Sequence, residues 1–283
     1  MRIDPQKREY YHEVFTGGRP LGMAFGADGR LLVADALLGL LAIDLKTKSI
    51  EILCNYANDR PVRFANSVAV ARDGTVYFTD SSDIPPVQEP TGLYNTHHSA
   101  VVQVFVANPT GRVIRVDYIT KQATVVDDNL SFANGISLSK NEDFLIVCDL
   151  GRNAIRRVWL AGPQKGKREY VLENLPGFPD NIQRASDGGW WIALASQRSK
   201  LIDAIHPYPL VKAILLKVPL SWTPRPPPLA QILKISPDLK VEYRLFDDSG
   251  HIPVVTDAME YQGKLYLAAV NAHYWAVLDL KSL

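Results

Sequence analysis

Three short stretches of the chain end in side chains that carry oxygen ligands: "FAN" at Phe64 to Asn66, "FAN" at Phe132 to Asn134, and "FPDN" at Phe178 to Asn181. Each sets an amide or acid directly before an apolar run. Asn66, Asn134, Asp180 and Asn181 together offer three amide carbonyls and one carboxylate. Neutral oxygens with few carboxylates suit a hard cation such as calcium, which takes roughly six to eight oxygen ligands. The competing reading is local: Asn and Asp at strand entrances commonly close turns or bond to neighbouring backbone.

The segments that carry these residues repeat. An alternating apolar run, an Asp-Gly or equivalent turn and a second run recur from Pro20 ("PLGMAFGADGRLLVADALLGLLAIDL"), Phe64 ("FANSVAVARDGTVYFTDSS"), Phe132, Phe178 ("FPDNIQRASDGGWWIALAS") and Val255 ("VTDAMEYQGKLYLAAV"). Asp-Gly supplies the positive φ of a tight hairpin, and the flanks are β-branched and aromatic. The turn glycines Gly29 and Gly74 lie 45 residues apart. That period fits four-stranded blades around an axis, so the chain is read as all-β, a β-propeller. The first strand of every blade lines the central channel, which would bring the four oxygen-bearing residues to one point.

Composition narrows the partners. Among 283 residues, 31 basic side chains face 30 acidic ones with no basic block, which excludes nucleic acid as the natural partner and favours a small molecule or protein. Cys54 and Cys148 lie far apart in apolar segments and are read as buried free thiols rather than a disulfide. The start, "MRIDPQKREYYHEVF", is polar and reads as neither signal peptide nor membrane anchor, and the sequon at Asn129 is a chance match. Two stretches, 83 to 105 and 197 to 228, are insertions. The second has apolar residues at helical spacing (Leu201, Ile202, Ile205, Leu210, Ile214) and ends in prolines. It is read as a lid over one face, as a membrane- or partner-facing patch, or as a loop on the outside.

The stretches "GRPLGMAF" (18 to 25), "VADALLGL" (33 to 40), "VYFTDSS" (76 to 82), "FANGISLSKNEDFLIV" (132 to 147) and "ENLPGFPDNIQRASDGGWWIA" (173 to 193) resemble the strictosidine synthase-like family. That family sits within the calcium-dependent propellers that include paraoxonases and regucalcin-type lactonases. The resemblance covers nearly the whole chain and implies a six-bladed propeller whose central calcium is held by a first-blade glutamate, two asparagines and an Asp-Asn pair. Asn66, Asn134, Asp180 and Asn181 match the later ligands, and the glutamate has no counterpart. The implied layout is a single domain, 1–283. It has a remnant of blade one at 1–16 (the first blade incomplete at the N-terminus), then blades at 17–55, 60–127, 128–173, 174–248 (with the insertion 197–228) and 252–283.

Two functions compete. One is a calcium-dependent hydrolase of esters or lactones, arylesterase-like, acting on a small-molecule substrate. Asp35, Asp80, Asp257 and His273 are its proton-transfer candidates, with Asp257 and His273 put forward as the catalytic pair, and each is more readily read as structural because Asp after a strand commonly closes a turn. The other is a catalytically inactive propeller that binds a partner through 197–228. A third reading, the amine–aldehyde condensation of strictosidine synthase, needs a glutamate where the resemblance places Thr256. In a regular strand Asp257 faces away from that position, and Glu260 lies beside the hairpin turn in solvent.

Overall fold

The structure is a computed structural model that describes residues 2–4, 9–11, 14–106, 108–218, 229–252, 254–270 and 272–283. Five antiparallel sheets follow one another along the chain, each a meander whose strands pair in sequence order. The first comprises Pro20–Phe25, Leu31–Asp35, Gly39–Ile43 and Ile50–Cys54, and the second Ala65–Val70, Val76–Asp80, Gly111–Val116 and Ala123–Leu130. The third is Ala133–Leu138, Phe144–Asp149, Ala154–Trp159 and Arg168–Leu172. The fourth is Gly177–Arg184, Trp190–Gln197, Ala230–Ile235 and Val241–Asp247. The fifth has three strands, Val255–Tyr261, Lys264–Ala269 and Ala276–Asp279.

The propeller architecture is therefore present, but five sheets stand where the resemblance implies six blades. Among the described residues Arg2–Asp4 and Glu9–Tyr11 pair with each other, three residues per strand, and with none of the five sheets. A two-stranded hairpin is not a four-stranded blade, so no sixth sheet is formed by the described residues.

Strand alternation builds the core between sheets. Leu32, Leu40, Phe78 and Ile114 fill the space between the first and second sheets, while Tyr77, Val113, Leu145 and Val147 fill that between the second and third. Ile146, Ile182, Trp190 and Ile192 join the third to the fourth, and Trp191, Ile232, Ala258 and Leu265 the fourth to the fifth. Neighbouring residues such as Tyr77 and Phe78, or Trp190 and Trp191, thus serve opposite faces of one strand. Each fully buried large side chain contributes about 1.5–3 kcal/mol. Both cysteines are buried and unpaired, as read from the sequence.

The insertions add helices, one where the sequence reading had only a polar excursion and two where it noted apolar residues at helical spacing. After a short hairpin (Val87–Gln88 with Tyr94–Asn95) comes α1, Thr96–Val106. The 197–228 insertion contains α2, Lys200–Ile205, and α3, Pro209–Leu215; its proline-rich end, 219–228, lies outside the described residues. Helix α3 packs against α1.

Candidate functional site in the central channel

The inner strand of every sheet slips its pairing at the same place. The register shifts between Pro20 and Met23, Ala65 and Val68, Ala133 and Ile136, Pro179 and Ile182, and Val255 and Asp257. The residues inside the slips are Leu21-Gly22, Asn66-Ser67, Asn134-Gly135, Asp180-Asn181 and Thr256. All four metal-ligand candidates therefore sit in bulges, which turn side chains out of the regular alternation and re-aim them. This is how two consecutive residues, Asp180 and Asn181, both become available beside the channel.

In the first three sheets the loop before the inner strand is fixed by an aspartate that ends the second strand. Asp35 accepts from the Arg19, Leu37 and Leu38 amides at 3.0–3.1 Å. Asp80 accepts from Arg63 N at 3.1 Å and Phe64 N at 2.9 Å, and pairs with the buried Arg112 Nε at 2.9 Å. Asp149 accepts from Ser131 N and Tyr170 Oη, both at 2.7 Å. Asp35 and Asp80 are thus positioning groups whose oxygens are occupied by loop amides. They hold the aromatic residues that precede the ligand candidates: Phe64 and Phe132 meet edge to face at 5.2 Å, in a cluster with Leu21, Leu150 and Phe178. Phe132 adopts φ +76°, a conformation that costs a bulky L-residue about 1–3 kcal/mol and marks the turn into Asn134 as strained.

Helix α1 lies on this aromatic collar through Ala100 and Val104. Asn95 Oδ1 caps it by accepting from His98 N at 2.9 Å. His97 falls on the same face by helical spacing, and surrounding protein lowers its pKa below the ordinary histidine value, with His98 adding to the effect. The sequence carried one signal for this helix, an Asn before thirteen residues free of Gly and Pro, set against a composition poor in strong helix formers.

The amides bond across sheet boundaries through their nitrogens. Asn66 Nδ2 donates to Ser81 Oγ at 3.0 Å, and Ser81 Oγ donates on to Ala133 O of the third sheet at 2.6 Å. Asn181 Nδ2 donates to Thr256 O of the fifth sheet at 2.9 Å and lies 3.5 Å from Asp180 Oδ1. The neighbour-bonding role weighed from sequence is therefore real, yet it uses the nitrogen ends. Asn134 Oδ1 is buried without a partner among the described residues, an arrangement that costs about 1–3 kcal/mol unless something else satisfies it.

The fifth sheet corrects one reading. The slip at Thr256 means the strand is not regular, so Asp257 does not point away: its carboxylate accepts from Gln183 Nε2 of the fourth sheet at 3.0 Å and from Ala258 N at 2.9 Å. Burial raises its pKa. Burial, and then the nearby charge of Asp257, push Asp180 up to about 7, against the opposing hydrogen bond from Asn134. Glu260 is also corrected. It is half-buried and latches the fourth sheet by accepting from Trp191 Nε1 at 2.8 Å and Ser186 N at 3.3 Å. His273 lies exposed in the loop between the last two strands, and no bond among the described residues ties it to the channel. Among those residues no group of three or more His, Cys, Asp or Glu forms a metal cluster, so any cation site here depends on amide oxygens.

The stacked sheets with a bulge-lined centre define a β-propeller with a candidate site in its channel. The strictosidine synthase family model matches residues 66–163. The chain is 32% identical to the adipocyte plasma membrane-associated protein of Rattus norvegicus, over 95% of this chain and 72% of that one, and 33% identical to that of Mus musculus, covering 65% of it. It is 32% identical to the protein strictosidine synthase-like 3 of Arabidopsis thaliana, over 98% of this chain and 70% of that one. It thus spans about two thirds of the length of these relatives. The fold is shared with a gluconolactonase of Xanthomonas campestris (TM-score 0.59, 15% identity, 88% of this chain and 69% of that one) and with the calcium-binding protein regucalcin of Agrobacterium tumefaciens (TM-score 0.55, 14%, 90% and 69%). The chain belongs to the strictosidine synthase-like family.

Proposed function

We propose that this protein is a calcium-dependent hydrolase of esters or lactones, arylesterase-like, with its site in the channel beneath α1. The observation that supports it is the orphaned Asn134 Oδ1, alongside Asn66 and Asn181, whose nitrogens already bond Ser81 Oγ and Thr256 O. A cation accepts only oxygens, and this arrangement leaves oxygens over. Asn66, Asn134, Asp180 and Asn181 would hold the ion, which supplies a Lewis acid for a carbonyl when bound. Asp257, steadied by Gln183 and its own strand, would take a proton from an attacking water. The aromatic collar packs against α1 through Ala100 and Val104, which would put that helix beside bound substrate.

The second reading is a binding propeller without catalysis. Its support is Leu21, an aliphatic residue at the first-sheet position equivalent to Asn66. Calorimetric titration of metal-stripped protein with calcium, followed by phenyl acetate and lactone hydrolysis on the same sample, separates the two. Micromolar binding with calcium-dependent turnover supports the hydrolase; binding without turnover supports the second reading; no binding removes the metal from both.

A further inference from the structure

Helix α3 is built inside out. Its lysine, Lys212, is turned in and only 9% exposed, while Leu210 (81%) and Ile214 (66%), one turn apart, face solvent. Val211 and Leu215 form a second exposed pair at the same spacing, and Tyr208 and Leu201 extend the patch towards α2. A surface helix ordinarily buries its aliphatic stripe and exposes its charges, so this orientation leaves six large apolar side chains of α2, α3 and the turn between them exposed among the described residues.

The charge around the patch has one sign. Between residues 197 and 218 stand Arg198, Lys200, Lys212 and Lys217, against a single acid, Asp203. Arg198 already pairs with Asp203 at 2.8 Å, which leaves exposed Lys200 and Lys217 flanking the aliphatic residues. Short helices with outward leucine and isoleucine, an interfacial tyrosine and rim lysines match the requirements for lying on an anionic bilayer, with aliphatics in the acyl boundary and lysines at the headgroups. A protein partner would more commonly be met by aromatic and arginine anchors in a pocket. Among the described residues no helix is long and apolar enough to cross a membrane, so contact through these helices would be a surface attachment.

We infer that α2 and α3 form a docking surface for anionic phospholipid membranes, holding α1 and the channel mouth towards the lipid. The experiment is co-sedimentation of the whole chain with phosphatidylcholine vesicles, with and without phosphatidylserine. Binding is expected to phosphatidylserine-containing vesicles, to fall with added salt, and to drop about tenfold or more in L210E/I214E. Both side chains are exposed, so the variant keeps its fold and its melting temperature. Lys217→Glu should weaken only the phosphatidylserine-dependent part. Met259→Glu, which changes an exposed apolar residue on the fifth sheet, should bind as wild type. Absence of wild-type binding, retention of it in L210E/I214E, or equal loss in Met259→Glu would each overturn the inference.

Discussion

Asn181 Nδ2 donates to the backbone oxygen of Thr256 at 2.9 Å, tying the fourth sheet to the fifth at the point where both inner strands bulge. One side-chain nitrogen therefore holds two sheets together and also lies 3.5 Å from Asp180 Oδ1, which leaves the amide oxygen free of these bonds.

That double duty separates Asn181 from Asn134 experimentally. Asn181→Ala removes an intersheet bond and should lower the melting temperature with or without calcium, by roughly 1 kcal/mol in the metal-free protein. Asn134→Ala also removes an unpaired buried oxygen, so its metal-free cost should be smaller. Both should shrink the calcium-induced rise in melting temperature. If Asn134→Ala leaves that rise intact, the channel amides are not ligands.

Asp180 gives a pH test. Its folded pKa of about 7 lies above the ordinary 3.8, so the folded protein binds this proton more tightly than the unfolded chain. The associated stability is fully present below the unfolded value and is lost as pH rises through about 7. Metal-free wild type should therefore lose stability relative to Asp180→Asn between about pH 4 and pH 7, on the order of 2 kcal/mol after discounting for residual solvent in the channel. With calcium at a hundredfold excess over its Kd the order should reverse near pH 7.5, because only wild type gains about 2.7 kcal/mol from binding. Denaturant melts of both proteins at several pH values would show it; parallel curves would mean that Asp180 titrates normally.

Arg112 and Asp80 form an ion pair in which both side chains are buried, and Arg112 also donates to Ala57 O and Pro61 O at 2.8 Å. Replacing Arg112 with Ala leaves Asp80 buried without its cation and two carbonyls without a donor. The expected loss is about 3–5 kcal/mol. Asp80 also positions Phe64, so the variant should bind calcium more weakly even where it remains folded. A loss under about 1 kcal/mol would show that water replaces the guanidinium.

Much of this organisation was legible in the residues. Asp-Gly turns and alternating runs marked the hairpins because turn chemistry and a period of two are local properties. The recurring "FAN" and "FPDN" marked the channel because equivalent positions converge in a stack of sheets. Asp257 was not legible, since a bulge reverses the facing of every residue beyond it and depends on pairing that a single strand does not reveal. Helix α1 was obscured by its histidines and β-branched valines, and what holds it is the collar beneath it rather than propensity. The blade count differs for another reason: the resemblance implied six, whereas the described residues form five sheets and a separate two-stranded hairpin, a pairing that local pattern does not reveal.

Thr256 bears on condensation chemistry. The resemblance places the condensing carboxylate at this position, where a hydroxyl stands and bonds weakly to Ala268 O at 3.5 Å. Incubation with an amine and an aldehyde should give no condensation product by mass spectrometry. Turnover there would move the acid–base role to Asp257.

Gly135 tests how tightly the inner strands control the site. A Cβ at this position would lie 2.6 Å from Ile182 N and 2.7 Å from both Asn181 Cα and Asp180 O, distances at which backbone must move. Its neighbour in sequence is Asn134, and the atoms it would strike belong to the other ligand candidates. Gly135→Ala should therefore cost about 1–3 kcal/mol through overpacking and should also separate Asn134 from Asp180. Gly29 provides the control. It holds φ +80° in a turn with open space around it, so Gly29→Ala should cost stability through backbone strain while calcium binding stays as in wild type. Equal stability losses with unequal calcium affinity in the two variants would show that the close approach of the third and fourth sheets sets the site. Equal affinities would show that the bulges alone are enough to aim these side chains.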